Sequence, residues 1–150
     1  LSWVPKKMPL TIDWGTGVYM HLHSGGMLIG NSDPDEPPGF SQTPDLDYLG
    51  GVWEDAARRL PQVGNAVMKT LNAGLYEVSH DHNAILGPVP EIPSFVLANG
   101  FSGHGVQHAP AVGRAISEVI AYGESRTLDI SAFSVARFAG GSGTPEGNVI

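Results

Sequence analysis

Gly100-Phe101-Ser102-Gly103-His104-Gly105-Val106-Gln107 is the stretch of this chain best built for chemistry. Three glycines in six residues can take backbone angles that other residues avoid, and they leave room for a flat ligand to approach the main chain. A helical pattern follows at once, so unpaired N–H groups of a first turn face the glycine-lined gap. That geometry suits a phosphate, a carboxylate or an anionic ring. Spacing alone also allows a plainer reading, in which the glycines only let a helix pack close to a sheet. Other candidates are weaker. His21/His23, His80/His82 and His104/His108 have spacings that place both rings on one face of a strand or helix. No His-Glu-x-x-His pattern accompanies them, so they read as solvent-facing or polar-turn residues and no metal site is assigned. Ser102 is one residue out of register for a Gly-x-Ser-x-Gly nucleophile elbow. Tyr76 precedes the polar turn Ser79-His80-Asp81-His82-Asn83 and reads equally as a core tyrosine.

The elements that must position the turn can be read around it. Phe95 to Ala98 predicts a buried strand before it. Val112, Ala115, Ile116, Val119 and Ile120 predict one apolar helix face after it, with Gly123 at the C-terminal cap. Pro110 fits only a first turn, which predicts a helix start near Gln107 or His108. Further upstream, Val18 to His23 and Met27 to Gly30 predict two strands joined at Ser24-Gly25-Gly26. Thr43-Pro44-Asp45 predicts an N-cap, a proline at the first helical position and an acid in the first turn. Leu49, Val52, Trp53, Ala56 and Leu60 form that helix's apolar face, and Pro61 stops it. Val67 to Val78 reads as a second strand-rich region, one long or broken strand through Leu75 to Val78, and Ala84 to Gly87 as a short apolar one ended by Pro88-Val89-Pro90. Asp129 to Ser131 could cap a last short helix containing Phe133, Val135 and Phe138. Leu1 to Thr11 reads as a connecting segment. The order predicts a mixed α/β (α+β) chain, antiparallel early and crossing from strand to helix late.

Bulk properties narrow the function classes. With 150 residues and 41% hydrophobic content, the chain can bury a real core. A formal charge of −7 and few Lys or Arg argue against nucleic acid as a partner. No apolar run approaches the ~20 residues of a membrane span. The absence of Cys rules out disulfides, a cysteine nucleophile and cysteinyl flavin attachment within this chain, and it fits a reducing compartment.

Two motifs together resemble a known family. Ala73-Gly74-Leu75-Tyr76-Glu77-Val78-Ser79-His80-Asp81-His82-Asn83-Ala84-Ile85-Leu86-Gly87, followed by the Gly100 to Gln107 turn, is similar to the C-terminal part of FAD-dependent amine and amino-acid oxidoreductases. This is the D-amino-acid oxidase and sarcosine oxidase family. The turn looks most like the sarcosine oxidase branch. Gln107, Asp129-Ile130-Ser131-x-Phe133, Arg137-Phe138 and Asn148-Val149-Ile150 look like a mitochondrial branch tied to respiratory-complex assembly. The resemblance implies the C-terminal part of a two-domain flavoprotein. Residues 1–78 would carry substrate-domain strands and one helix, 79–138 the return to the FAD-binding domain, and 139–150 a flexible tail. It implies non-covalent FAD, contacted by Gly74, Leu75, Phe101, Ser102, Gly103, His104, Gly105, Val106 and Gln107. It also implies a small amine or amino-acid substrate oxidised by hydride transfer, with Tyr76 in the antiparallel sheet near the substrate carboxylate and Gln107 acting on catalysis.

Departures from the family pattern are informative. A cysteine that carries flavin in some relatives is Gly74 here, and a lysine that helps oxygen react is Gln107. An acceptor other than oxygen follows as the expectation. The family's Gly-x-Gly-x-x-Gly unit for the FAD pyrophosphate does not occur in these residues, so the partner half is expected elsewhere on the same chain or on another. This chain's arginines, Arg137 among them, read as structural or exposed. A non-catalytic assembly protein is the alternative reading, and a histidine-based metal hydrolase ranks below it. The compartment expected is the cytoplasm, or the mitochondrial matrix in a eukaryote.

Overall fold

The structure, a computed structural model, describes residues 4–141, 143 and 145. It divides into two compact units, one running to Leu75 and the other starting at Tyr76.

In the first unit an antiparallel sheet of β1 (Thr11–Ile12), β2 (Tyr19–His23) and β3 (Gly26–Gly30) is covered by helix α1 (Leu46–Arg59). The β2–β3 hairpin closes His23 on Gly26 through Ser24 and Gly25. Both turn residues have positive φ, 47° and 74°, the handedness that matches strand twist. β1 begins at Thr11, inside the segment read as a connector. Alternation along the chain sends Val18 and Met20 inward to meet Val52 and Ala56 of α1 and Val63 of the 3-10 helix Pro61–Asn65. Burying each large side chain contributes roughly 1.5–3 kcal/mol.

The cap of α1 lies two residues later than Thr43 predicts. The Asp45 carboxylate itself accepts from the N–H groups of Asp47 (2.8 Å) and Tyr48 (3.0 Å), so Asp45 is the N-cap and Leu46 the first helical residue. Pro61 ends α1 as predicted but also opens the following 3-10 helix.

In the second unit β4 (Ile85–Val89) and β5 (Ile92–Asn99) form an antiparallel hairpin, and helix α2 (Gly105–Tyr122) packs on both strands. Two short 3-10 helices, Ser131–Phe133 and Val135–Gly140, pack against β4. The core here is Ala84, Leu86, Ala115 and Val119. Gly123 caps α2 with φ of 80°, its N–H donating to Val119 O.

Five more expectations need correction. No strand ladder forms through Leu75 to Glu77 among the described residues, where only Val78 is bridged, to Phe101, so Tyr76 is not part of the antiparallel sheet. β4 runs past Gly87 to take in Pro88 and ends on Val89, with a register shift between those two residues, so the Pro88-Val89-Pro90 stretch ends the strand two residues later than Gly87. β5 is longer than Phe95 to Ala98 and is not buried: Phe95 is 56% exposed, and among the described residues β5 pairs only with β4. On α2, Ala115 and Val119 are buried but Ile120 is 73% exposed. The expected tail begins inside the second 3-10 helix, and Asn148-Val149-Ile150 lie outside the described residues.

Candidate functional site

The Gly100 to Gln107 segment is a tight turn feeding directly into α2. Gly100 and Gly103 have φ of 70° and 93°, and Ser102 between them has φ of 49°. For the serine this is a strained conformation that persists only when its surroundings fix it. Gly105 is different: it is the first residue of α2 and needs no left-handed angle. A Cβ there would touch Phe101 at 3.4 Å, a contact the ring can yield to.

α2 thus starts two residues earlier than Gln107, and Pro110 lies inside it. The lost Pro110 N–H leaves the Val106 carbonyl without its helical partner. Val106 is 88% exposed, so water can take that carbonyl. His104 is the N-cap residue but its side chain caps nothing, and the first turn carries no acid. The N–H groups of Gly105, Val106 and Gln107 therefore present the positive end of the helix dipole to whatever lies beside the turn. Gln107 is exposed in that first turn.

Tyr76 is brought to this turn from 27 positions upstream. A Cβ on Gly103 would sit 2.8 Å from Tyr76 Cε2 and 3.0 Å from Cζ, so the ring rests on the Gly103 backbone. Tyr76 as a whole is 45% exposed. Gly74 and Leu75 are exposed and lie in the segment leading to it. Ser102, in contrast, is fully buried. Its N–H donates to Glu77 O (3.2 Å), and its Oγ accepts from Ser79 N and donates to Gly100 O, each at 3.3 Å. Its side chain is spent inside the turn.

The turn Ser79-His80-Asp81-His82-Asn83 is not merely polar surface. Asp81 is 2% exposed and takes a two-pronged ion pair from Arg137, Nε to Oδ2 at 2.7 Å and Nη2 to Oδ1 at 2.8 Å. Hydrogen bonding from Arg137, with help from Asn83 N–H and Ser79, holds the Asp81 carboxyl far below the usual carboxylate range. Asp81 and Arg137 were not predicted as a pair, since only the fold brings residues 56 positions apart together.

A cavity of about 450 Å³ lies within this unit, lined by His82, His104 and His108 together with Phe101, Ile130 and Phe133. The His104 and His108 rings are 6.0 Å apart and those of His21 and His23 6.1 Å apart. Among the described residues no group of three or more His, Asp or Glu side chains is arranged to hold a metal ion. Nor is any described helix long and apolar enough to cross a membrane.

Residues 2–119 match the family model described as DAO, FAD dependent oxidoreductase. The chain is 39% identical over 136 residues to FAD-dependent oxidoreductase domain-containing protein 1 of Xenopus laevis, covering 87% of this chain and 27% of that protein. It is 33% identical over 116 residues to N-methyl-L-tryptophan oxidase of Yersinia pestis, covering 77% of this chain and 29% of the oxidase. L-proline dehydrogenase from P. horikoshii is similar in structure, with a TM-score of 0.82 and 29% identity over 89% of this chain and 36% of the dehydrogenase. The chain therefore spans only about a quarter to a third of the length of these relatives.

Proposed function

The chain belongs to the DAO family of FAD-dependent oxidoreductases, and we propose that it supplies the flavin-edge portion of an enzyme that oxidises a secondary α-amino acid. FAD is the cofactor of this family. The observation that carries the proposal is the uncapped, acid-free start of α2 behind a left-handed glycine turn. The residues present fit an electron-rich ring edge: they offer several backbone donors, no competing carboxylate, and at Gly103 no side chain to block approach. When bound, FAD supplies the acceptor for a hydride from the substrate carbon.

The roles of this chain follow from its geometry. The N–H groups of Gly105, Val106 and Gln107 would stabilise negative charge at the ring edge, and Phe101, Gly103 and His104 would shape its approach. Ser102 would act on the turn's form rather than by contact. Tyr76, half-exposed against Gly103, would offer its hydroxyl to the substrate carboxylate. Gly74 and Leu75 would flank it. The dehydrogenase relative acts on L-proline and the oxidase relative on N-methyl-L-tryptophan; both compounds are secondary amino acids, which favours that class here. Flavin would be held non-covalently, as Gly74 stands where some relatives carry a flavin-linking cysteine and the chain has no Cys for a cysteinyl link. Gln107 carries no charge, which favours an acceptor other than oxygen. A reducing compartment, cytoplasm or matrix, suits the cysteine-free composition.

The test is the visible spectrum of the longest native form, followed anaerobically with L-proline, sarcosine and N-methyl-L-tryptophan. Bleaching of a flavin spectrum by any of these is expected. Bound flavin that no secondary amino acid bleaches would favour an assembly role instead, and a flavin-free protein would sink the proposal.

A further inference from the structure

Ser79, Asp81 and Ser102 are the buried polar residues of the described chain, and all three belong to one network. At its outer end stands Arg137, whose five N–H donors have five partners. Two go to Asp81, one from Nη2 to Asn83 O at 3.0 Å, and the two on Nη1 to Phe133 O and Ser134 O at 2.8 and 3.2 Å. The guanidinium also lies 4.2 Å from the centre of the Phe138 ring. Asp81 Oδ1 in turn accepts from Asn83 N, while Ser79 Oγ donates its single proton to Asn83 O at 2.7 Å and lies 3.3 Å from Asp81 Oδ1. The inner end is Ser79 N, which donates to Ser102 Oγ, while Glu77 O receives the Ser102 N–H.

Such a network is a costly way to gain stability, because an apolar cluster of the same shape often does as well or better. What it does supply is a single defined conformation. Here the conformation at its inner end is a strained one, Ser102 at φ of 49° between two left-handed glycines. Immediately beyond lie the N–H groups assigned to the ring edge.

We propose that Arg137 is a positioning residue for the bound flavin: through Asp81, Ser79 and Ser102 it fixes the turn that aims the first N–H groups of α2. The proposal rests on the flavin-edge reading above. Loosening the network would let those donors wander and would disfavour the reduced, negatively charged ring more than the oxidised one.

The experiment uses the native holoprotein and its Arg137→Lys and Ser102→Ala variants, with Gly103→Ala as a control in the turn itself. Lysine keeps the charge but cannot reproduce a two-pronged, five-donor set. Ser102→Ala removes only a hydroxyl that reaches no solvent, and it carries the test if Arg137→Lys does not fold. FAD affinity and flavin midpoint potential are measured alongside thermal unfolding. The expected result is at least tenfold weaker FAD binding and a tenfold loss in the reduced-to-oxidised equilibrium, a potential more negative by about 30 mV for two electrons. Lowered thermal stability with unchanged potential and affinity in both variants would overturn the proposal, leaving the network merely structural. If Gly103→Ala also leaves both readouts unmoved, the flavin-edge reading itself fails and the proposal with it.

Discussion

Replacing Gly103 by alanine probes the turn at its tightest point. Two separate costs are expected. A side chain at φ of 93° enters a region that L-residues avoid, which costs about 1–2 kcal/mol. The new methyl would also lie 2.8, 3.0 and 3.2 Å from three atoms of the Tyr76 ring. Overpacking costs about 1–3 kcal/mol, and the lower end applies because Tyr76 is 45% exposed and its ring can swing outward. The sum is about 2–3 kcal/mol. The assay is urea unfolding of the native protein at one fixed FAD concentration, since bound ligand adds its own stabilisation. Repeating it in a Tyr76→Ala background separates the terms: the ring is gone, and only the backbone cost of about 1–2 kcal/mol should remain. A coupling of about 1 kcal/mol between the two sites is the expected signature. Equal costs in both backgrounds would refute the ring contact, and a cost below about 0.5 kcal/mol in the Tyr76→Ala background would refute the left-handed conformation.

Three more expectations follow from particular contacts. Asp45→Ala removes a carboxylate that accepts two α1 amides and should cost about 1 kcal/mol, read from the denaturation midpoint; a change within error would remove Asp45 as the cap. Glu118 accepts from Arg126 N, Thr127 N, Thr127 Oγ1 and Arg114, and these bonds, the Arg126 amide foremost, lower its carboxyl from the usual 4.5 to about 2. A depressed carboxylate stabilises fully above its ordinary value and loses that contribution as pH falls toward 2, so the protection of the Arg126 and Thr127 amides, measured against their intrinsic exchange rates, should fall across that window. Glu118→Gln should abolish the pH dependence, and its persistence would point to another group. Finally, Gln107→Lys puts a positive charge beside the ring edge and should speed reoxidation of the reduced flavoprotein by oxygen; an unchanged rate would remove the link drawn between Gln107 and a different acceptor.

How much of the site could be read in advance depends on how local its determinants are. The β2–β3 hairpin, the Gly123 cap and the glycine turn before α2 are short-range decisions, each made by a few residues whose backbone preferences are intrinsic. Where a local rule has a close competitor, the sequence misleads by a turn or less. Asp45 outbids Thr43 because its carboxylate reaches two amides, and α2 runs upstream of Pro110 because an exposed carbonyl can be left to water. The strand expected at Leu75 to Val78 fails for a different reason. A strand exists only by pairing, and among the described residues pairing there is limited to Val78.

By itself, then, the sequence determined the chemistry-bearing turn and the family it belongs to, because glycine positions and helix periodicity are written residue by residue. Only the tertiary structure decided what holds that turn in shape. Asp81 sits between two histidines in a stretch that looks solvated, and Arg137 sits near the chain's end with no partner in reach of local rules. Folding buries Asp81 to 2% exposure, and a buried carboxylate requires a paired cation with matched geometry. Arg137, 56 positions away, supplies it.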